Sequence, residues 1–107
     1  MKERVYNKLV RDNIPEIIRQ QGETPVTRAL EDREFLDCLE KKLREEVEEF
    51  LAEKNLDELG DILEVLETIA YLQGWTEGQI RRAKEEKAQR NGAFRKWVFL
   101  EKVLEEE

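Results

Sequence analysis

Between Leu36 and Leu72 the apolar residues return every three or four positions, and that rhythm decides most of what this chain can fold into. Leu36, Leu39, Leu43, Val47, Phe50 and Leu51 form one stripe; Leu59, Ile62, Leu63, Val65, Leu66, Ile69, Ala70 and Leu72 form a second, with Asn55 between them. The first stripe predicts a helix capped by Asp32 and reaching about Lys54; the second predicts one from Leu56 to about Gln73, closed by Gly74. At roughly 100° per residue the second stripe spreads over about half the helix circumference. One helix from the same chain cannot cover so wide an arc, so a second subunit is expected to bury the remainder, most simply across a two-fold axis. The expected class is all-α: an antiparallel helical bundle completed by dimerisation, with at most a short peripheral β-hairpin, residues 1–107 forming a single domain.

The flanking segments fill in the rest. Asp12 or Asn13 can cap a short helix with Pro15 in its first turn, running through Ile14, Ile17 and Ile18 to about Gln21, where Gly22 stops it. Pro25 to Leu30 lacks helical phasing and reads as extended, a candidate strand for pairing with the apolar run Trp97-Val98-Phe99-Leu100. Thr76-x-x-Gln79, flanked by Trp75 and Ile80, reads as a capping box that opens a last helix continuing to about Arg90.

Composition enters where it excludes chemistry. Charged residues are 42% of the chain and aromatics 7%, a balance that suits disorder, yet a disordered chain has no reason to keep helical spacing. The formal charge of −7 argues against general nucleic-acid or membrane binding, and no stretch is apolar enough to span a bilayer. Met1-Lys2-Glu3-Arg4 opens no signal peptide, and the lone Cys38 allows no intrachain disulfide, so a cytoplasmic location is expected. Histidine is absent, which removes the commonest general base and the usual zinc ligand. Hydrolytic chemistry here must run on carboxylates, lysines, arginines and metals.

Phase singles out a few carboxylates from the many. Glu46 and Glu49 fall on the flank of the first stripe, while Glu45 and Glu48 point away from it. Glu58 projects inside the second arc and Asp61 lies on its edge; Glu64 and Glu67 point outward. A carboxylate in an apolar arc is costly unless its charge is compensated. Glu58 has one local compensation open to it, as the third position of an Asn55-x-x-Glu58 capping box. A cation shared by Glu46, Glu49, Glu58 and Asp61 accounts for all four, and an all-oxygen donor set suits Mg²⁺, with Mn²⁺ as a substitute. Lys84 and Lys87 share the inner face of the last helix with Arg90 at its edge. Singly these are ordinary C-terminal helix charges. As a group, joined by Lys8 and Arg11, they are candidates for holding the oxygens of a polyphosphate.

Glu45-Glu46-x-x-Glu49 followed by Glu58-x-x-Asp61 on successive helices resembles the signature of the all-α nucleoside triphosphate pyrophosphohydrolases, the superfamily of MazG proteins, dimeric dUTPases and phosphoribosyl-ATP pyrophosphohydrolase. Tyr6-Asn7-Lys8-Leu9-Val10-Arg11-Asp12-Asn13-Ile14-Pro15 and Lys87-x-x-Arg90-Asn91-Gly92-x-Phe94 are similar to a phosphoribosyl-ATP pyrophosphohydrolase-like subgroup. The resemblance implies Mg²⁺-dependent hydrolysis of a nucleotide between its α and β phosphates, with Glu46, Glu49, Glu58 and Asp61 as metal ligands. Glu49, or Glu45 if it swings inward, would then accept the proton of the attacking water. Only eight residues separate Glu49 from Glu58, so the helices must meet at a tight turn with little room for a base-recognition loop. House-cleaning of non-canonical nucleotides, a step in histidine biosynthesis, and a non-catalytic acidic helical dimer that binds a partner protein all stay open at this point.

Overall fold

The computed structural model describes residues 2–106, and among these it holds four helices and no strand: α1 Ile14–Gln20, α2 Asp32–Ala52, α3 Leu56–Leu72 and α4 Glu77–Asn91. The chain divides into two units, Met1–Gln73 and Gly74–Glu107.

In the first unit α1 ends as its glycine requires. Gly22 has φ +84°, and the amides of Gly22 and Glu23 donate to the carbonyls of Arg19 at 2.9 Å and Ile18 at 3.2 Å, a Schellman closure. The start of α2 differs from the expected Asp32 cap. Glu31 holds the cap position with extended backbone and no side-chain cap bond, and Asp32 is the first helical residue, where its charge meets the positive end of the dipole. The helix stops at Ala52, two residues short of expectation, and Lys54 Nζ donates to the Leu51 carbonyl at 2.9 Å. Asn55 caps α3, its side-chain oxygen accepting from the Glu58 amide at 2.9 Å.

With only Glu53, Lys54 and Asn55 between them, α3 folds back on α2, and the two pack as a helical hairpin. Leu39, Val65 and Ala70 are buried; Leu43, Phe50, Ile62 and Ile69 are half-buried. Burying a leucine or valine such as Leu39 or Val65 contributes at most roughly 1.5–3 kcal/mol. The other flank of α3 remains bare: Leu56, Leu59, Leu63 and Leu66, spaced three, four and three apart, are all exposed.

No hairpin forms from Pro25–Leu30 and Trp97–Leu100, because neither segment is a strand. An isolated two-stranded ribbon is marginal in water. The first segment is tied elsewhere, since both terminal nitrogens of Arg28 bond Glu34 on α2 at 3.0 and 2.7 Å. In the second unit the predicted capping box is present, Thr76 accepting from the Gln79 amide at 3.2 Å while Gln79 accepts from the Thr76 amide at 2.9 Å. No residue of α4 is buried, and Phe94, Trp97, Val98, Phe99 and Leu100 beyond it are exposed.

Candidate metal centre

Among the described residues Glu46 is the one buried carboxylate. Its position on α2 stacks it one turn beyond Lys42 and two beyond Leu39, on the side that receives α3, and it is left 7% exposed. Glu58 and Asp61, three apart on α3, project from one face of that helix toward it. One carboxylate oxygen from each of Glu46, Glu58 and Asp61 lies within 4.8 Å of the other two. Oxygens so placed are close enough to share one hard cation, whose bonds to oxygen run about 2.0–2.6 Å.

The electrostatics show what the cluster lacks. Burial lifts the Glu46 carboxyl above its ordinary range; the charges of Glu49 and Asp61 act in the same direction, and Lys42 opposes them. Glu58 is lifted by desolvation first, then by the charges of Glu49, Asp61 and Glu46. Glu46 Oε2 and Glu58 Oε2 are both buried without a hydrogen-bond partner. A buried carboxylate oxygen with no donor needs either a proton or a cation. The residues present therefore fit a divalent ion held by oxygen.

The local compensation open to Glu58 is only half made. Asn55 caps the Glu58 amide, but the reciprocal bond of a capping box is missing, because the Asn55 amide donates instead to the Glu53 carbonyl at 2.6 Å. The carboxylate of Glu58 is thereby free of a cap role.

The other candidate residues separate by position. Glu49 is exposed on α2, near enough to raise both Glu46 and Glu58 but outside the triad that shares 4.8 Å. Glu45 is half-buried and belongs to no such group among the described residues. Arg11 reaches the cluster: its Nη2 donates to Asp61 Oδ1 at 2.7 Å. A shallow groove beside this pair is lined by Arg11, Leu56, Asp57, Gly60, Asp61 and Glu64. Lys8 lies over the Tyr6 ring at 5.7 Å. Lys84, Lys87 and Arg90 are exposed on α4, in the second unit.

Sequence reasoning missed Lys42, whose Nζ lies 3.4 Å from Glu46 Oε1. The signal was the spacing of four residues on α2, in the weaker order with lysine ahead of glutamate, which made it easy to pass over among so many surface charges.

No protein-family model matches the chain, and no solved structure matches it. A curated protein of Mycolicibacterium smegmatis, described only as uncharacterized, is 52% identical over 50 residues, covering 47% of this chain. The matched stretch spans about half of that relative, 51% of its length.

Proposed function

We propose that this chain is a Mg²⁺-dependent nucleotide pyrophosphohydrolase, cleaving a phosphoanhydride between the α and β phosphates to release pyrophosphate and a nucleoside monophosphate. One observation carries the proposal: Glu46, nine-tenths buried and with one carboxylate oxygen left unpartnered, clusters with Glu58 and Asp61 from a second helix. The resemblance of Glu46-x-x-Glu49 and Glu58-x-x-Asp61 to the all-α pyrophosphohydrolase signature supplies the reaction class. House-cleaning of non-canonical nucleotides and a step in histidine biosynthesis are the two roles this reaction class offers.

Glu46, Glu58 and Asp61 would hold the ion, with Glu49 alongside. A bound Mg²⁺ would supply Lewis-acid polarisation of the phosphates and a lower pKa for its water. Glu49 is suited to take up the proton at its carboxylate, because it is exposed and near enough to act on both Glu46 and Glu58. Glu45, one turn earlier on α2, is the alternative acceptor. Arg11 lines the groove beside Asp61, where its fork can orient phosphate oxygens, and Lys8 lies three residues ahead of it in the same segment. For Lys84, Lys87 and Arg90 the same role rests on the sequence alone. The exposed seam Leu56, Leu59, Leu63 and Leu66 supports a homodimer, as its three-four-three spacing suits helix-to-helix packing with a second copy.

Pyrophosphate release across canonical, deoxy, oxidised and phosphoribosylated nucleotides tests the proposal. Glu58→Gln should cut turnover on the order of a hundredfold or more and abolish thermal stabilisation by millimolar Mg²⁺, which Na⁺ at equal ionic strength cannot mimic. Unchanged Mg²⁺ dependence in that variant would sink the assignment. An absence of both turnover and Mg²⁺ stabilisation in the parent chain would leave the acidic helical dimer that binds a partner protein.

A further inference from the structure

We infer that Arg11 and Lys42 are built-in counter-ions of the acid cluster, each paired with one oxygen of an acid that would hold the divalent cation, so that their positive charge limits how tightly the cation binds. The inference rests on the metal centre proposed above. Arg11 comes from the segment ahead of α1 and holds Asp61 Oδ1 at 2.7 Å; Lys42 comes from α2 and stands 3.4 Å from Glu46 Oε1. They act on different acids and from different sides of the sequence, and Glu58 is left with a buried oxygen that neither reaches.

Acids gathered on a surface are common without any ligand. Here the Glu46 side chain is nine-tenths buried and its second oxygen has no partner, while the first already faces Lys42. The two cations therefore do not complete the site. Glu46, Glu58 and Asp61, with Glu49 nearby, outnumber Arg11 and Lys42, and a divalent ion would supply positive charge the two cations do not.

Two roles for these cations predict opposite signs. If Arg11 and Lys42 only position the ligands, removing either should weaken cation binding. If they compete with the cation and repel it, removing either should tighten binding, because a positive charge a few ångströms from a divalent ion is lost.

The test is calorimetric titration of Mn²⁺ alone into the full chain. Arg11→Gln and Lys42→Gln are each expected to bind Mn²⁺ about three- to tenfold more tightly than the parent. Arg11→Lys and Lys42→Arg, which keep the charge, are expected to bind like the parent. Unchanged or weaker binding in either glutamine variant overturns the inference while leaving the metal centre intact. No Mn²⁺ binding by the parent overturns the metal centre and the inference together. Should Lys42→Gln fail to fold, Arg11→Gln decides alone, since that side chain is 57% exposed and carries no core packing.

Discussion

Glu46 and Glu58 give the metal-free protein a pH signature whose sign can be worked out. Both carboxyls are held above their ordinary range, by burial first and by neighbouring acids second. A group raised in this way contributes stability below its unfolded pKa and loses it as pH climbs through the raised folded value. Glu34 runs the other way: its bond to Arg28 lowers it, so its contribution is present above the ordinary carboxylate range and lost as pH falls through the lowered value. Glu34 is well exposed and screened, so the cluster should dominate. Without divalent ions, the melting temperature should decline from mildly acidic pH toward neutrality. Glu46→Gln should flatten that decline, as should saturating Mn²⁺ in the parent; calorimetry from pH 4.5 to 8 checks both. At this scale the site was legible because helical phase alone separates Glu46 and Glu58 from Glu48, Glu64 and Glu67. Phase could not say that Asn55 would spend its amide on Glu53, and so could not remove the cap role from Glu58.

At the scale of elements, Asn55 does two jobs by one bond. It satisfies the first turn of α3, and it fixes where that helix begins after a linker of Glu53, Lys54 and Asn55. Asn55→Ala should destabilise the chain by about 1 kcal/mol. It should also weaken Mg²⁺ binding, since Glu58 lies in the turn the cap secures; thermal melts with and without Mg²⁺ separate the two effects. The helices themselves were readable from their stripes, and the box at Thr76 from its spacing. Helix ends were less so, because Glu31 and Asp32 are both acidic and either can face the dipole. The hairpin expectation failed for a different reason. Pro25–Leu30 looks like a strand by composition, but Arg28 is captured by Glu34, a contact that no local pattern announces.

For the whole molecule, the central question is what covers α3. Its inner face meets α2, while Leu59, Leu63 and Leu66 stand 38%, 48% and 43% exposed on the adjoining one. With Leu39, Val65 and Ala70 the buried apolar residues among those described, one hairpin makes a thin core for a chain of 107 residues. A homodimer through this seam predicts that light scattering on the parent gives twice the chain mass. Leu63→Glu with Leu66→Glu should shift it toward monomer and lower its stability by several kcal/mol. A parent that runs as a monomer at micromolar concentration would count against the dimer while leaving the acid cluster in place. The wide apolar arc was readable from the sequence; what covers it was not, because one chain carries no record of its neighbours.

The short linker between α2 and α3 also has a kinetic meaning. Glu46 and Asp61 are near neighbours along the chain, so the contacts that assemble the cluster belong to the fast, local class that forms early in folding. Closing the hairpin brings Glu58 and Asp61 against Glu46, with Lys42 on α2 the nearest counter-ion. A cation present during refolding is therefore expected to speed hairpin closure as well as to stabilise the finished site, and refolding rates with and without Mn²⁺ check this.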